Sequence, residues 1–134
     1  MKHFMLLAAM FLCLAVTMPS PAQAGKKRDA RVAYVLKNLK LKPDVQEKFR
    51  PILEAYLKEL SDIKEPYKKL KDELQNAIDA NKLTAAQCDQ LFEMKQKQEE
   101  KEPGLLRKYY AKFKTVLTTQ QAYKAMKLSD DKLE

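Results

Sequence analysis

Apolar residues recur at helical spacing along most of this chain. The first stripe follows the i, i+3, i+4, i+7 spacing that places side chains on one helix face, and it consists of Val32, Val35, Leu36 and Leu39. We expect residues 25–28 to form a basic, frayed start and Asp29 to cap this helix. The helix should end near Lys40, because Pro43 disfavours helical backbone at Lys42. The sequence has no alternating apolar and polar runs bounded by turn residues, so it predicts an all-α fold.

A second and much longer stripe begins after Pro43. Its members keep one helical phase and are Val45, Phe49, Ile52, Leu53, Tyr56, Leu60, Ile63, Tyr67, Leu70, Leu74 and Ile78. The phase is unchanged across Pro66, which favours one kinked rod over two separate helices. We expect Asn81 to close this helix in the left-handed conformation.

The third helix should start after Thr84, and its stripe begins with Cys88, Leu91, Phe92 and Met94. The stripe is then interrupted. Residues 95–102, the polar segment, contain no apolar side chain, and Pro103-Gly104 follows them. Either the segment is solvated helix that protrudes past its partners, or the chain bends flexibly at Pro103-Gly104. We favour a kinked helix, because the stripe resumes at Leu105, Leu106, Tyr109, Tyr110, Phe113, Val116 and Leu117.

A short last helix should start after Thr118, with its apolar face made by Ala122, Tyr123 and Met126. The residues from Leu128 onward have the composition of a polar tail. The sequence therefore predicts about four elongated helices.

Two helix starts carry the same five-residue pattern, Leu-Thr-x-x-Gln. It spans residues 83–87 and returns at residues 117–121. In a capping box of this kind the Thr hydroxyl accepts from a backbone N–H three residues on, and the Gln side chain accepts from the Thr N–H. A degenerate copy at residues 41–45 keeps a Leu and adds Pro43, which suits the first position of a helix.

The repeated Leu-Thr-x-x-Gln resembles the LTxxQ family of small periplasmic helical proteins, the Spy/CpxP-like chaperones and stress modulators. The likeness extends from about Asp29 to Met126. It implies a thin, curved, antiparallel homodimer and an ATP-independent chaperone activity. The residues that match the motif have a structural capping role and are Leu83, Thr84, Gln87, Leu117, Thr118 and Gln121.

Residues 1–24 have the pattern of a secretory signal peptide: a basic start, an apolar run, and small residues at Ala22 and Ala24. The apolar run is shorter than the roughly 20 residues that a spanning helix needs. A retained membrane anchor is therefore the weaker interpretation. We expect cleavage after Ala24, export to the periplasm, and a single helical domain over residues 25–134.

Removal of the signal peptide leaves little chemistry for catalysis or metal binding. His3 and Cys13 leave with it, so the remaining chain has no histidine and one cysteine, Cys88. We expect no enzyme activity, catalytic residue, metal site or cofactor. We expect Cys88 to be a small buried hydrophobe, with an intermolecular disulfide as the alternative. The acidic cluster within residues 99–102 is interleaved with lysines, which indicates an ordinary solvated face.

The positive charge is the informative feature of the composition. The formal net charge is +8, of which the signal peptide holds one lysine. Helical spacing places lysines on two faces, each in line with apolar residues, and the candidate binding residues are Lys64, Lys68, Lys71, Lys108, Lys112, Leu57, Leu105 and Tyr109. The ordinary interpretation of each lysine alone is solubility.

A basic surface with apolar patches suits a non-native polypeptide, which charge attracts and weak apolar contacts hold. We expect no nucleic-acid partner, because export removes the protein from the cytoplasm. An anionic membrane surface is a weaker candidate, since the helices lack a dedicated amphipathic tail, and stable membrane insertion is not expected. The thin stripes predict a dimer, because one copy alone leaves apolar surface in water. The alternative function is a CpxP-like regulatory protein that binds an envelope stress sensor kinase, and a plain structural helical module is the third.

Overall fold

The structure is a computed structural model that describes residues 21–130, and side chains from residue 25 onward. This part of the chain is all-helical, which confirms the predicted fold class. It has five helices: α1 (Pro21–Leu39), α2 (Pro43–Glu73), α3 (Gln75–Asp79), α4 (Ala85–Phe113) and α5 (Thr119–Asp130). The basic start and apolar run of the predicted signal peptide, and residues 131–134, lie outside the described residues.

The first helix starts earlier than the sequence predicts. It begins at Pro21, so Asp29 lies inside α1 and does not cap it. The basic residues before Asp29 are good helix formers, and they continue the helix instead of fraying. The predicted end is confirmed: α1 stops at Leu39, Lys40 takes a left-handed φ of 52°, and Pro43 opens α2.

The second helix is continuous through Pro51 and Pro66, but it ends at Glu73, earlier than predicted. The break lies at Leu74, whose φ of −98° and ψ of 6° depart from helical values, although its N–H still bonds to Leu70 O at 3.0 Å. The short α3 begins directly after it. This adds a fifth helix to the predicted four. Asn81 has a φ of 54°, as predicted for the residue that closes the rod.

The fourth helix passes through Pro103 and Gly104 without a break, so the prediction of one helix instead of a flexible bend is confirmed. The predicted kink stays a prediction. It packs antiparallel along α2. The pairing runs from Phe49 against Phe113, whose ring centroids are 4.9 Å apart, through Tyr56 against Tyr109, to Lys64 against Glu102. The two helices form a long hairpin.

The polar segment does not protrude past its partners, contrary to the expectation. Gln98 is only 7% exposed, and its side-chain N–H donates to Glu102 Oε1 at 3.1 Å. Lys95 Nζ lies 5.1 Å from the centroid of the Tyr67 ring on α2. A polar interface therefore replaces the apolar stripe here, with cation–π and hydrogen-bond contacts in place of aliphatic packing.

The hydrophobic core lies at one end of the hairpin, the proximal end, where α1 and α5 pack against α2 and α4. Arg31 Nη1 on α1 donates to Leu128 O of α5 at 3.3 Å. The core residues come from these four helices and from the turn that joins α4 to α5, and they are Val32, Val35, Leu36, Leu39, Phe49, Leu53, Tyr56, Leu57, Leu60, Leu105, Tyr109, Phe113, Leu117, Ala122 and Ala125.

The other end of the hairpin, the distal end, comprises residues 67–94. None of these residues is buried. Here α2 packs against α4, and no third layer of helix from residues 21–130 covers this end of the hairpin.

Four side chains that the stripes place in the core are at the surface, among them Phe92 and Leu106, which are 60% and 37% exposed. Cys88 is exposed, so the expectation of a buried cysteine is wrong. Tyr123 is 60% exposed, because α5 turns the face of Ala122, Ala125 and Ser129 inward instead. Leu128 belongs to α5 and packs against the core, so the helix includes the start of the predicted tail. No helix within residues 21–130 is both long and apolar enough to cross a bilayer.

Candidate functional site

Both repeated motifs form complete capping boxes. At the start of α4, Gln87 N–H donates to Thr84 Oγ1 at 3.1 Å, and Thr84 N–H donates to Gln87 Oε1 at 3.0 Å. Thr118 and Gln121 make the same two bonds at the start of α5, at 3.0 and 3.1 Å. The structural role predicted for the motif is therefore confirmed by its geometry.

The leucine before each Thr has a different environment in the two copies. Leu117 is buried in the core, whereas Leu83 is half-buried at the distal end. The motif thus fixes the two ends of the hairpin in different settings.

The structure places Lys64 and Lys68 in an open groove, the basic groove, that sequence reasoning did not identify. Its volume is about 420 Å³. It lies between α1, α2 and one residue of α5, and its lining is Lys27, Arg28, Arg31, Leu57, Leu60, Ser61, Lys64, Glu65, Lys68 and Ser129.

Positive charge dominates the basic groove, with five cationic side chains against the one carboxylate of Glu65. Lys64 Nζ is 4.0 Å from Glu102 Oε1, at the edge of an ion pair. Within the described residues, Lys27, Arg28 and Lys68 form no ion pair.

The sequence analysis did not predict that the cations of α1 line a groove, because residues 25–28 have the composition of a frayed start. The signal was in the sequence: Lys27 and Arg31 are four residues apart, and Arg28 and Arg31 are three apart, which puts them on one helix face. Lys71, which follows Lys64 and Lys68 along α2, does not line the groove.

Lys108 and Lys112 lie in a different cluster around Tyr109. Their Nζ atoms are 5.4 and 4.9 Å from the centroid of the Tyr109 ring. The Tyr109 hydroxyl donates to Glu59 Oε2, and Lys108 Nζ lies 3.4 Å from Glu59 Oε1. These contacts make a compact unit of two cations, one aromatic ring and one carboxylate.

The hydrogen bond in this unit shifts two pKa values. The Tyr109 donor, with help from Lys108 and Lys112, holds the pKa of Glu59 below its usual value of 4.5. Burial, and then the bond to Glu59, raise the pKa of Tyr109 to about 12. Tyr109 therefore keeps its proton at physiological pH and remains a donor.

The two lysine groups are not brought together. Glu59, which contacts Lys108, and Lys68, which lines the basic groove, are nine residues apart on α2. At 3.6 residues per turn this separation points them to opposite sides of the helix. A single partner would have to wrap around the hairpin to meet both groups.

The apolar candidates are not surface residues. Leu57 and Leu105 are each 8% exposed and Tyr109 is 3% exposed, all within the core of one chain. The expectation that they offer contact at the surface is wrong. Each of them completes the inward face of its helix, beside lysines that lie at the rim of the same face.

Accessible apolar surface occurs at the distal end instead. The distal row consists of half-buried side chains and one exposed ring, and its members are Tyr67, Leu70, Leu74, Ile78, Leu83, Leu91, Phe92 and Met94. Phe92 is 60% exposed. No other helix covers this row within the described chain.

The described residues hold no group of three or more His, Cys, Asp or Glu side chains placed to bind a metal ion. No protein-family model matches the sequence, no curated protein matches it, and no solved structure matches it.

Proposed function

We propose that this protein is an ATP-independent chaperone of the periplasm that binds unfolded or aggregation-prone proteins. The observation that carries the proposal is the distal row, a set of half-buried apolar side chains with the exposed ring of Phe92 among them. Lys64, Lys68 and Lys71 lie on α2 next to it.

This combination suits a client that has no fixed shape. Long-range attraction to the lysines speeds encounter with a chain that carries exposed carboxylates, and it weakens as salt is added. Apolar contacts then hold the client at roughly 25 cal/mol for each Å² removed from water. Neither step needs a deep pocket or a nucleotide.

The resemblance to the Spy/CpxP-like family supports the same proposal through its capping motif and its helix order. It also supports an antiparallel homodimer and a periplasmic location after cleavage behind Ala24. In this proposal Leu57, Leu105 and Tyr109 have a structural role, and the lysines and the distal row contact the client.

The proposal is tested by the light scattering of a denatured model protein during refolding, with and without the chain from residue 25 onward, at low and high salt. We expect suppression near stoichiometric ratios that weakens at high salt. Absence of suppression at every ratio and salt concentration would overturn the proposal.

Two pairs of variants separate the two kinds of contact. Phe92→Ser should reduce suppression, whereas Tyr123→Ser, which removes an equally exposed ring from α5, should not.

The charge variant replaces Lys64, Lys68 and Lys71 with Gln, and it should abolish the salt dependence. Its control replaces three exposed lysines elsewhere, Lys37, Lys48 and Lys124, with the same net change of charge. If both triple variants lose the salt dependence equally, the net charge of the protein causes it, and Lys64, Lys68 and Lys71 have no special role.

The CpxP-like regulatory function remains the alternative. The compact unit around Tyr109, with Lys108 and Lys112 set on its ring, favours recognition of one defined acidic surface. If refolding is unaffected, capture of one saturable sensor domain, lost in Lys108→Gln with Lys112→Gln, is the result expected of that alternative.

A further inference from the structure

We propose that the basic groove is a binding site for a phosphate group that carries two or more negative charges, on a soluble molecule or on a headgroup. This inference does not rest on chaperone activity. It rests on the cations of α1 and α2, which the groove brings to face one another across a volume of about 420 Å³.

The groove is built from two rows. Lys27, Arg28 and Arg31 form the row on α1, and Lys64 and Lys68 form the row on α2. A ligand between the rows meets cations from both sides. Each row is fixed by its helix, so the cations are already gathered before a ligand arrives, and binding has less side-chain freedom to remove.

Arginine in the first row favours an oxyanion with several acceptor oxygens. A planar guanidinium donates two parallel N–H bonds to a phosphate or a carboxylate. Arg31 is positioned for this role by its bond to Leu128 O, which uses one nitrogen, Nη1, and leaves the others available. Arg28 forms no ion pair within the described residues.

The balance of charge distinguishes phosphate from carboxylate. Five cations against Glu65 leave a large positive excess in a small space, and Glu102 offsets only Lys64, at 4.0 Å. One carboxylate would leave most of that excess unmatched. A peptide short enough to fit would match it only if nearly every residue were acidic, whereas a phosphate group with two or more charges matches it compactly.

The floor of the groove argues against an acyl chain. Leu57 and Leu60 line it, but they are only 8% and 9% exposed, so little apolar surface is open to a ligand. The Ser61 hydroxyl is half-buried beside them and makes no hydrogen bond in the described part of the chain, so it is available as a further donor.

The test is calorimetric titration of the chain from residue 25 onward with pyrophosphate. We expect saturable binding at one site. Replacing Arg28 and Lys68 with Gln should weaken it by at least about tenfold, because each removes a hydrogen bond to a charged group. Gln is a good helix former, and circular dichroism should confirm that both helices remain.

The matched control replaces Lys71 and Lys124 with Gln. This variant loses the same charge, and Lys71 lies one turn beyond Lys68 on α2, yet neither residue lines the groove. Its affinity should change less than about twofold, since long-range charge is screened by salt. Equal weakening in both variants, or no saturable binding, would overturn the proposal for a soluble phosphate.

Flotation with phosphatidylcholine vesicles, with and without phosphatidic acid, identifies the source of the phosphate. Pyrophosphate binding without flotation indicates a soluble ligand. Flotation that requires phosphatidic acid and disappears in the Arg28 and Lys68 variant indicates a headgroup. If neither pyrophosphate nor the vesicles bind in a groove-dependent way, the basic groove is not a phosphate site. A loss of chaperone activity in the same variant would not bear on either result.

Discussion

At the residue scale, the two capping boxes hold the starts of α4 and α5. Each satisfies two backbone N–H groups, through Thr84 with Gln87 and through Thr118 with Gln121. A cap matters because the first N–H groups of a helix have no partner within it.

Thr84→Ala and Thr118→Ala should each lower the free energy of unfolding by about 1 kcal/mol, measured by urea denaturation. Thr119→Ala is the matched control, since Thr119 is exposed and is the first residue of α5, directly after the cap. A loss in the control equal to that in Thr118→Ala would contradict the capping account.

The bond between Tyr109 and Glu59 makes stability depend on pH in a defined direction. Folding lowers the pKa of Glu59 below its usual value of 4.5, so the ionised carboxylate stabilises the fold at pH values above 4.5. This contribution is lost as pH falls through the lowered pKa. Glu59→Gln should therefore have a lower melting temperature than the parent at neutral pH, and the gap should narrow in acid.

Glu99→Gln removes the same charge from an exposed position on α4 that makes no such bond. The melting temperature of Glu99→Gln should differ little from that of the parent at every pH. If the difference in melting temperature between Glu59→Gln and the parent does not depend on pH, the charge of Glu59 is not its cause.

Local chemistry at single positions was readable from the sequence, but burial was not. Thr84 and Asn81 act as their residue types predict, because caps and left-handed turns depend on a few neighbouring backbone groups. Cys88 and Tyr123 are exposed although they belong to apolar stripes, and Gln98 is buried although it belongs to the polar segment. The exposure of a side chain depends on which helix faces it, and that partner is remote in the sequence.

At the element scale, α4 tolerates two residues that usually end a helix. Pro103 and Gly104 lie inside it, next to the polar segment. A Cβ atom built on Gly104 would meet no atom within 4 Å, and its φ is not in the left-handed region. Glycine is therefore not required at this position by space or by backbone conformation.

Gly104→Ala should raise the free energy of unfolding by about 0.5–1 kcal/mol, because alanine loses less backbone freedom on folding. Chemical denaturation measures the change. Gly25→Ala, near the start of α1, should have a smaller effect, since helix ends fray. A loss of stability in Gly104→Ala would indicate that α4 needs a bend here.

The helices were predicted better than their ends. Pro43 and Thr84 mark true starts, because proline and threonine act on the backbone at their own positions. The break at Leu74 carries no such residue and consists of a local change in backbone dihedral angles, to a φ of −98° and a ψ of 6°. The basic groove was missed for a related reason: its α1 row was assigned to a frayed start, so it had no partner row.

At the scale of the whole molecule, the two ends of the hairpin differ in packing. The proximal end has four helices and a closed aromatic cluster, in which Tyr56 and Phe113 are edge-to-face at 5.7 Å. The distal end has an apolar row that no other helix of residues 21–130 covers. That difference provides a reason for self-association through the distal end, as well as for client binding.

Light scattering of the chain from residue 25 onward should give the mass of a dimer at micromolar concentration. Phe92→Ser should shift the equilibrium toward monomer, because it removes the most exposed ring of the distal row. Tyr123→Ser should leave the mass unchanged. A compact monomer for the parent chain would contradict the dimer, and the distal row would then be free for clients alone.

The antiparallel course of α2 and α4 also sets an order of assembly during folding. Contacts near the turn, such as Tyr67 with Lys95, join residues close in the chain, whereas Glu59 and Tyr109 are 50 positions apart and Phe49 meets Phe113 from farther still. Each contact formed from the turn inward shortens the loop that the next must close. Pulse-labelled hydrogen exchange should therefore protect the middle of the hairpin before α1 docks. The chain would then pass through a stage in which a helical ribbon exists and its aromatic core is still open.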